Sequence, residues 1–292
     1  MAKRYLSIIR LFRHCGIEVQ EGLNASRARK LVVAEFNHSA DGFIETGGFT
    51  YNKEDALDEI QHPEFERRMA YHLKLWEHPH LLNVLEKDEL QLMEVRREIR
   101  DFEGDDYFDQ LFSPFFAEPF NTITRNLIQQ NRLADLGVWF ELEPFLQPSD
   151  RDIALKTARI FLEEQTRLIK NVTADNFKVM REQVEVWFST DWYQFLNSLP
   201  EEFHDMRNVL CANLINLSVA LQKKYRQHAI WISDNLTKVL HLPDNMSSLI
   251  HNNHSAFQGG SSSSGDSGTS YTWIIWVIII MLKLIVASRG CS

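Results

Sequence analysis

The chain has few cysteines, few glycines before its C-terminal end, and no excess of positive charge. Its three cysteines, Cys15, Cys211 and Cys291, are far apart in a sequence of 292 residues, which excludes both a disulfide framework and a CxxC metal site. This cysteine usage is typical of a reducing compartment. The formal net charge of −9 argues against a nucleic-acid-binding protein, because such proteins present a basic face.

Motifs of the common enzyme classes are also missing. The glycines before residue 259 form no GxxxxGKS/T loop, so nothing predicts a phosphate-binding cradle. No G-x-S-x-G nucleophile elbow is present either. The sequence therefore predicts no catalytic residues and no cofactor.

The strongest positive signal is near the C-terminus. Residues 258–270 are rich in glycine and serine, and residues 271–288 read YTWIIWVIIIMLKLIVAS. An apolar helix of this length spans about 27 Å, close to the roughly 30 Å thickness of the hydrocarbon core of a bilayer. We therefore predict a single transmembrane anchor. Its main residues are Trp273 and Trp276 at one end, Ile278, Ile279, Ile280 and Leu282 at the centre, and Lys283, which can snorkel toward the nearer interface.

Two signals disagree about the orientation of this anchor. Lys283 and Arg289 lie on its C-terminal side, and the positive-inside tendency would place that side in the cytoplasm. Export of the large N-terminal part would require a signal peptide, but Arg10 and Arg13 interrupt the apolar stretch at the start of the chain. We expect a soluble domain on the cytoplasmic side, with the lipid bilayer and an unidentified protein at the membrane as partners, and the sequence leaves the oligomeric state open.

The rest of the chain predicts a mainly α-helical fold. Residues 1–60 form a small helix–helix–hairpin–helix unit, in which Asn24 or Ser26 starts the second helix and Asn52 caps the third. The pair Gly47-Gly48 can provide the positive φ angles of a tight hairpin turn. Residues 61–250 form an all-helical domain, residues 251–270 a flexible linker, and residues 271–288 the anchor.

Apolar spacing marks the helices of the second domain. Ser149, with Asp152 three residues later, resembles a capping arrangement. A single helix is expected to follow, with Ile153, Ile160, Phe161, Leu168 and Ile169 on its buried face. The segment from Val209 to Leu221 is apolar on most sides and is expected to be the central buried helix.

Charge is unevenly distributed along the first third of the chain. Residues 1–40 carry seven Lys or Arg against three Glu, whereas residues 41–109 carry nineteen acids against eight bases. In one interpretation the two stretches face each other or cover separate surfaces. In the other, the basic N-terminus contacts anionic lipid through an apolar stripe of Leu6, Ile9 and Phe12.

Two Glu-x-x-His pairs suggest an alternative, enzymatic function. Glu77 with His80, and Glu201 with His204, have the spacing that places both ligands on one helix face in di-metal carboxylate proteins. However, Pro79 interrupts the first pair and Pro200 places the second pair at a helix start. Four histidines, His62, His72, His78 and His80, are also clustered in sequence without a nearby cysteine.

Two further segments have a functional and a structural interpretation. The acidic residues between Asp101 and Asp109 could bind a hard cation through oxygen ligands, although the spacing of an EF-hand is absent and a solvated loop is the simpler interpretation. The phenylalanines between Phe112 and Phe120 could form a partner groove or part of the core. Their helical spacing favours the core.

The sequence thus favours a tail-anchored, non-enzymatic protein-interaction or scaffold module with an acidic helical domain. The alternative is a membrane-bound di-metal carboxylate enzyme. A third hypothesis gives the protein a structural role, in which the anchor helices associate laterally.

Overall fold

A computed structural model describes residues 4–19 and 23–259, and this part of the chain is mainly helical. Its first elements are α1 (Ile8–His14), α2 (Ala25–His38), a hairpin of β1 (Phe43–Thr46) and β2 (Phe49–Asn52), and α3 (Lys53–Ile60). Next come α4 (Phe65–Trp76), α5 (Pro79–Lys87), α6 (Leu92–Ile99), α7 (Asp106–Gln129), α8 (Leu133–Phe140) and α9 (Pro148–Ala154). The last are α10 (Lys156–Asn171), α11 (Phe177–Val184), α12 (Thr190–Asn197), α13 (His204–Leu221), α14 (Arg226–Leu236) and α15 (Asp244–Gly259). Short 3₁₀ turns cover Arg100–Phe102, Glu143–Phe145, Glu185–Phe188 and Glu201–Phe203.

The predicted helix–helix–hairpin–helix order at the N-terminus is confirmed. The Asn24 side chain accepts a hydrogen bond from the Arg27 amide at 3.0 Å and caps α2. Asn52 caps α3 in the same way, with 2.7 Å to the Asp55 amide. The two strands pair antiparallel, and the intervening Gly47 and Gly48 have φ angles of +60° and +80°.

The apolar stripe of α1 packs into the protein. Ile9 and Phe12 are fully buried, in a cluster that also contains Val32 and Phe36 of α2 and Phe65 of α4. The interpretation that this stripe contacts lipid is therefore wrong, because two of its three side chains, Ile9 and Phe12, have no exposed surface. Burial of this kind stabilises the fold by roughly 1.5–3 kcal/mol for each large side chain.

The basic residues at the start of the chain pair with the acidic stretch that follows. Arg10 binds Glu86 with two hydrogen bonds, of 2.5 and 2.7 Å, and Glu86 also accepts the Ser7 amide at 2.9 Å. Arg4 lies 3.1 Å from Asp88. The pairs made by Arg4 and Arg10 support the interpretation in which the two charged stretches face each other.

The long helix α7 contributes a ladder of stacked rings to the core. Phe108 stacks on Phe112 with ring centroids 4.8 Å apart, and Phe112 contacts Phe116 at 4.7 Å. Phe116 and Phe120 both contact Trp139 of α8. These side chains are buried, so the phenylalanines of this segment mainly form core, as their helical spacing indicates.

The predicted helix from Ile153 to Ile169 is wrong in one respect. The chain forms two helices, α9 and α10, that break at Leu155. A periodicity counted across this break loses its phase, and Ile153 and Ile160 are 40% and 46% exposed instead of buried. The predicted cap at Ser149 is also wrong, because α9 begins at Pro148 and makes no side-chain capping bond of its own.

The end of the described chain bears on the predicted linker and anchor. Helix α15 continues to Gly259 and so includes residues 251–259, which the sequence assigns to the linker. The contact pattern places the described residues up to His254 in one compact unit and residues 255–259 outside it. No helix among residues 4–19 and 23–259 is long and apolar enough to span a membrane. The predicted anchor, with Trp273, Trp276, Ile278, Ile279, Ile280, Leu282 and Lys283, lies outside the described residues.

Candidate functional site: a cavity beside α3 and α4

A cavity of about 230 Å³ lies beside α3 and α4, and we call it the N-terminal cavity. Its wall includes the rings of Tyr5, Tyr51 and Phe115. Acidic side chains of α3, including Asp58 and Glu59, also line it. The volume suits a small molecule or a single side chain of a partner.

Four side chains on this wall form a continuous hydrogen-bonded chain. The Tyr5 hydroxyl lies 2.8 Å from Nδ1 of His72, and Nε2 of His72 lies 3.0 Å from Glu59. Arg68 donates to both oxygens of Glu59, at 2.6 Å each. Tyr5 and His72 are each only 4% exposed, so the chain is largely shielded from solvent.

The local fold explains how these groups meet. Arg68 and His72 are four residues apart on α4, a spacing that places both side chains on one helix face. Glu59 lies in the last turn of α3, and both α4 side chains reach it across the short connection between the helices. Tyr5 comes from the segment just before α1, and its ring also contacts the ring of Phe115.

The electrostatics fix the direction of the hydrogen bonds to Glu59. Burial alone would raise the pKa of Glu59, but the hydrogen bonds from His72 and Arg68 outweigh it and lower the pKa to about 2. Glu59 is therefore ionised at neutral pH and can only accept, so Nε2 of His72 carries a hydrogen. With the imidazole neutral, Nδ1 then accepts a hydrogen bond from the Tyr5 hydroxyl. Burial raises the pKa of Tyr5 well above its usual value, which keeps that hydroxyl protonated.

This arrangement is better suited to fixing a binding surface than to transferring protons. Both ring nitrogens of His72 are bonded to protein side chains, and a substrate would have to displace one of them to reach the imidazole. The Tyr5–His72–Glu59–Arg68 chain instead holds the cavity wall rigid. Asp58, which is exposed, adds negative charge at the edge of the cavity.

The predicted metal ligands lie in separate elements. Glu77 is the residue directly after α4, whereas His80 lies in the first turn of α5, after Pro79. Glu201 is in a 3₁₀ turn, and His204 begins α13. Across residues 4–19 and 23–259, no three His, Cys, Asp or Glu side chains form a group that could hold a metal ion. The described residues therefore contain no ligand cluster that would support the di-metal hypothesis.

Side chains of the histidine cluster and of the acidic segment 101–109 make hydrogen bonds within the fold. His78 is bonded to Asp101 at 2.8 Å and to the Lys74 carbonyl at 2.6 Å. Asp105 caps α7 through the Phe108 amide and accepts the Tyr71 hydroxyl at 2.6 Å. The acidic segment is thus tied to α4 and α7, and this ordering was not visible in the sequence, where it reads as a solvated loop.

The sequence contained one usable signal for this site. The four-residue spacing of Arg68 and His72 could have indicated that both lie on one helix face, but it was not singled out. Their partner Tyr5 is 67 residues from His72, and no local pattern connects the two.

Comparison with known proteins finds no relative: no protein-family model, curated protein or solved structure matches this chain. A functional proposal for this protein therefore rests on its own residues and geometry.

Proposed function

We propose that this protein is a tail-anchored interaction module, in which an acidic helical domain is held at the cytoplasmic face of a membrane and binds a protein partner there. One observation carries the proposal: the apolar segment 271–288 follows a glycine- and serine-rich stretch at the end of a folded helical body. The proposed role is binding rather than catalysis.

The N-terminal cavity supports a non-enzymatic role. Its acid–base groups are bonded to one another, and the low pKa of Glu59 and the raised pKa of Tyr5 leave neither group poised to exchange a proton near neutral pH. A rigid cavity with aromatic walls can accept one side chain of a partner.

The length of the linker limits how far the proposed domain can move from the membrane. After α15, residues 260–270 remain for the proposed spacer, and a flexible chain of that length has a root-mean-square span of roughly 18 Å. The domain would therefore search only a thin layer at the membrane surface. This confinement raises its effective concentration toward partners in the same membrane, without any additional contact.

Membrane fractionation tests the anchor. We expect the full-length chain to sediment with membranes and to resist extraction at high salt and at alkaline pH. A variant that ends at residue 270 should move to the soluble fraction and keep its helical circular dichroism. As a matched control, Lys283→Leu removes the only charge within the apolar segment and should stay with the membranes. Full-length protein that remains in solution without detergent would disprove the proposal.

Protease protection tests the orientation. Protease added outside sealed cells should leave the helical domain intact, and the same protease should digest it after the membrane is opened. Digestion in sealed cells would place the domain on the other side of the membrane and contradict the cytoplasmic location.

A further inference from the structure

Helix α10 carries an apolar groove that the rest of the fold leaves open. The groove has a volume of about 410 Å³ and lies between α10 and α13. Met206 and Val209 of α13 contribute to it, and Val209 is 46% exposed. Ile160, one turn before the groove on α10, is also 46% exposed. We call this surface the α10 groove.

Among the described residues, the charged side chains that line this groove have no ion-pair partner. Glu163, Arg167 and Lys170 of α10 line it together with Asp205 of α13, and in the described part of the chain none of the four makes an ion pair or a side-chain hydrogen bond. An apolar groove with free charges along its rim is the usual composition of a binding surface.

The charges along α10 can pair with those of a second copy of α10 that runs antiparallel. Glu163 precedes Lys170 by seven residues, or about 10.5 Å along the helix axis. If a second α10 runs antiparallel across the first, with the two-fold axis between Thr166 and Arg167, each Glu163 faces the Lys170 of the other copy. The central contact is then formed by Thr166 and the aliphatic stem of Arg167, beside Met206 and Val209.

We propose that the α10 groove is a homodimer interface and that its occupant is α10 of a second copy of this chain. An isologous two-fold contact uses the same patch on both copies, so the patch must be complementary to itself. A register centred on Glu163 and Glu164 would instead place carboxylates against each other. A register centred on Gln165 pairs Glu163 with Arg167 but sets Lys170 against Ile160, so the register centred between Thr166 and Arg167 is the one that uses Lys170.

A second recess, on the neighbouring face of α10, is lined only by residues of that helix, including Gln165, Leu168 and Asn171. The exposed face of α10 is therefore a ridge beside the α10 groove. Two such ridges can interlock, each resting in the α10 groove of the other copy. A contact between two single helices buries less surface than the interfaces of stable soluble dimers. We therefore expect a weak dimer that is favoured when both copies are held at one membrane.

This inference names the partner of the proposed interaction module, but it does not depend on the membrane anchor. The test uses the full-length chain in mild detergent, co-expressed with two different affinity tags. We expect the two tagged copies to purify together. Glu163→Lys or Lys170→Glu, introduced in both copies, places like charges at both symmetric pairs and should reduce co-purification about tenfold.

Mixing the two reversals gives the decisive comparison. A Glu163→Lys copy with a Lys170→Glu copy restores an opposite pair at both sites, and so does the Glu163→Lys/Lys170→Glu double variant in both copies. We expect both combinations to recover the association. Lys30→Glu and Glu89→Lys make the same charge changes on exposed residues elsewhere, and they should have no effect.

Three results would overturn the proposal. The first is that wild-type copies do not co-purify. The second is that the reversals leave the association unchanged, particularly if removal of residues 271–292 abolishes it, because the anchors would then make the contact. The third is that the mixed reversals fail to recover association while circular dichroism shows folded protein. Membrane fractionation separates each of these results from a failure of the anchor.

Discussion

Glu59 and Asp109 are both partly buried carboxylates, yet their pKa values shift in opposite directions. Burial raises both, but Glu59 accepts hydrogen bonds from His72 and Arg68, which lower its pKa to about 2. Asp109 has no such donors. Burial and the neighbouring Asp106 and Asp105 raise its pKa to about 6. The two groups therefore make opposite contributions to stability as the pH changes.

Replacement of Glu59 by glutamine should destabilise the protein most at neutral pH. The folded-state pKa of Glu59 is below its ordinary value of 4.5, so its contribution is complete above that value and is lost as the pH falls toward 2. We expect Glu59→Gln to lower the free energy of unfolding by on the order of 2–3 kcal/mol at pH 7. The difference should shrink between pH 4.5 and pH 2. Urea unfolding at several pH values measures it, and a constant difference would contradict the assignment.

Asp109→Asn should have the opposite effect. The folded-state pKa of Asp109 is above its ordinary value of 3.8, so its ionisation weakens the fold as the pH rises from about 4 through 6. Asparagine resembles the neutral form, and the variant should melt at a higher temperature than the wild type at pH 7.5. The two proteins should melt together at pH 3.5. A lower melting temperature at pH 7.5 would show that the carboxylate is needed.

The hairpin turn offers a matched pair of glycine substitutions. Both Gly47 and Gly48 have positive φ angles, so alanine at either position is strained by about 1 kcal/mol. A Cβ on Gly47 would also lie 2.6 Å from Cδ of Arg10, whereas nothing lies within 4 Å of a Cβ on Gly48. We expect Gly47→Ala to cost more than Gly48→Ala in thermal unfolding, because Arg10 would have to shift from Glu86. Equal costs would show that Arg10 adapts freely.

At the scale of the helices, buried polar side chains act as caps for other elements. Glu86 accepts the Ser7 amide before α1, and Glu98 accepts the Leu81 amide in the first turn of α5, at 2.8 Å. Asn121 of α7 accepts the Thr157 amide at the start of α10, at 2.9 Å. The first amides of a helix have no partner within it, so these contacts both satisfy the backbone and fix where two helices meet.

Glu98 provides a test of this capping between helices. Glu98→Leu leaves the Leu81 amide without its acceptor, and we expect a loss of about 1–2 kcal/mol in unfolding free energy. Glu98→Gln keeps an oxygen at the same place and should cost less than half as much. Equal losses for the two variants would indicate that the side-chain volume, and not the hydrogen bond, is what matters.

The elements that sequence predicts well are those with local signals. Asn24 and Asn52 cap the helices that follow them directly, and the Gly47-Gly48 turn joins adjacent strands. The start of α9 could not be predicted in this way, because the Gln147 amide is bound by Ser113, which is 34 residues away. The candidate cavity shows the same division: Arg68 and His72 share a visible helical spacing, but Tyr5 reaches them only through the tertiary fold.

At the scale of the whole molecule, contacts cross the predicted boundary between residues 60 and 61. Arg4 and Arg10 pair with Asp88 and Glu86, and Tyr5 is bonded to His72. Phe65 and Met69 of α4 complete the cluster that buries α1 and α2. The division into units 1–60 and 61–250 stays a prediction, but these contacts connect the two parts energetically.

We therefore expect residues 1–60 to unfold together with the helices that follow them. In the Arg10–Glu86 pair Glu86 is buried and Arg10 is partly buried. Leaving a buried charge without its partner costs several kcal/mol, which is a large part of the stability of a typical domain. Arg10→Met should accordingly lower the thermal midpoint of the whole helical signal and not only of a small N-terminal fraction. The double variant Arg10→Met/Glu86→Leu removes both charges and should recover much of the loss. Two separate transitions, with only the smaller one shifted, would show that the first sixty residues fold independently.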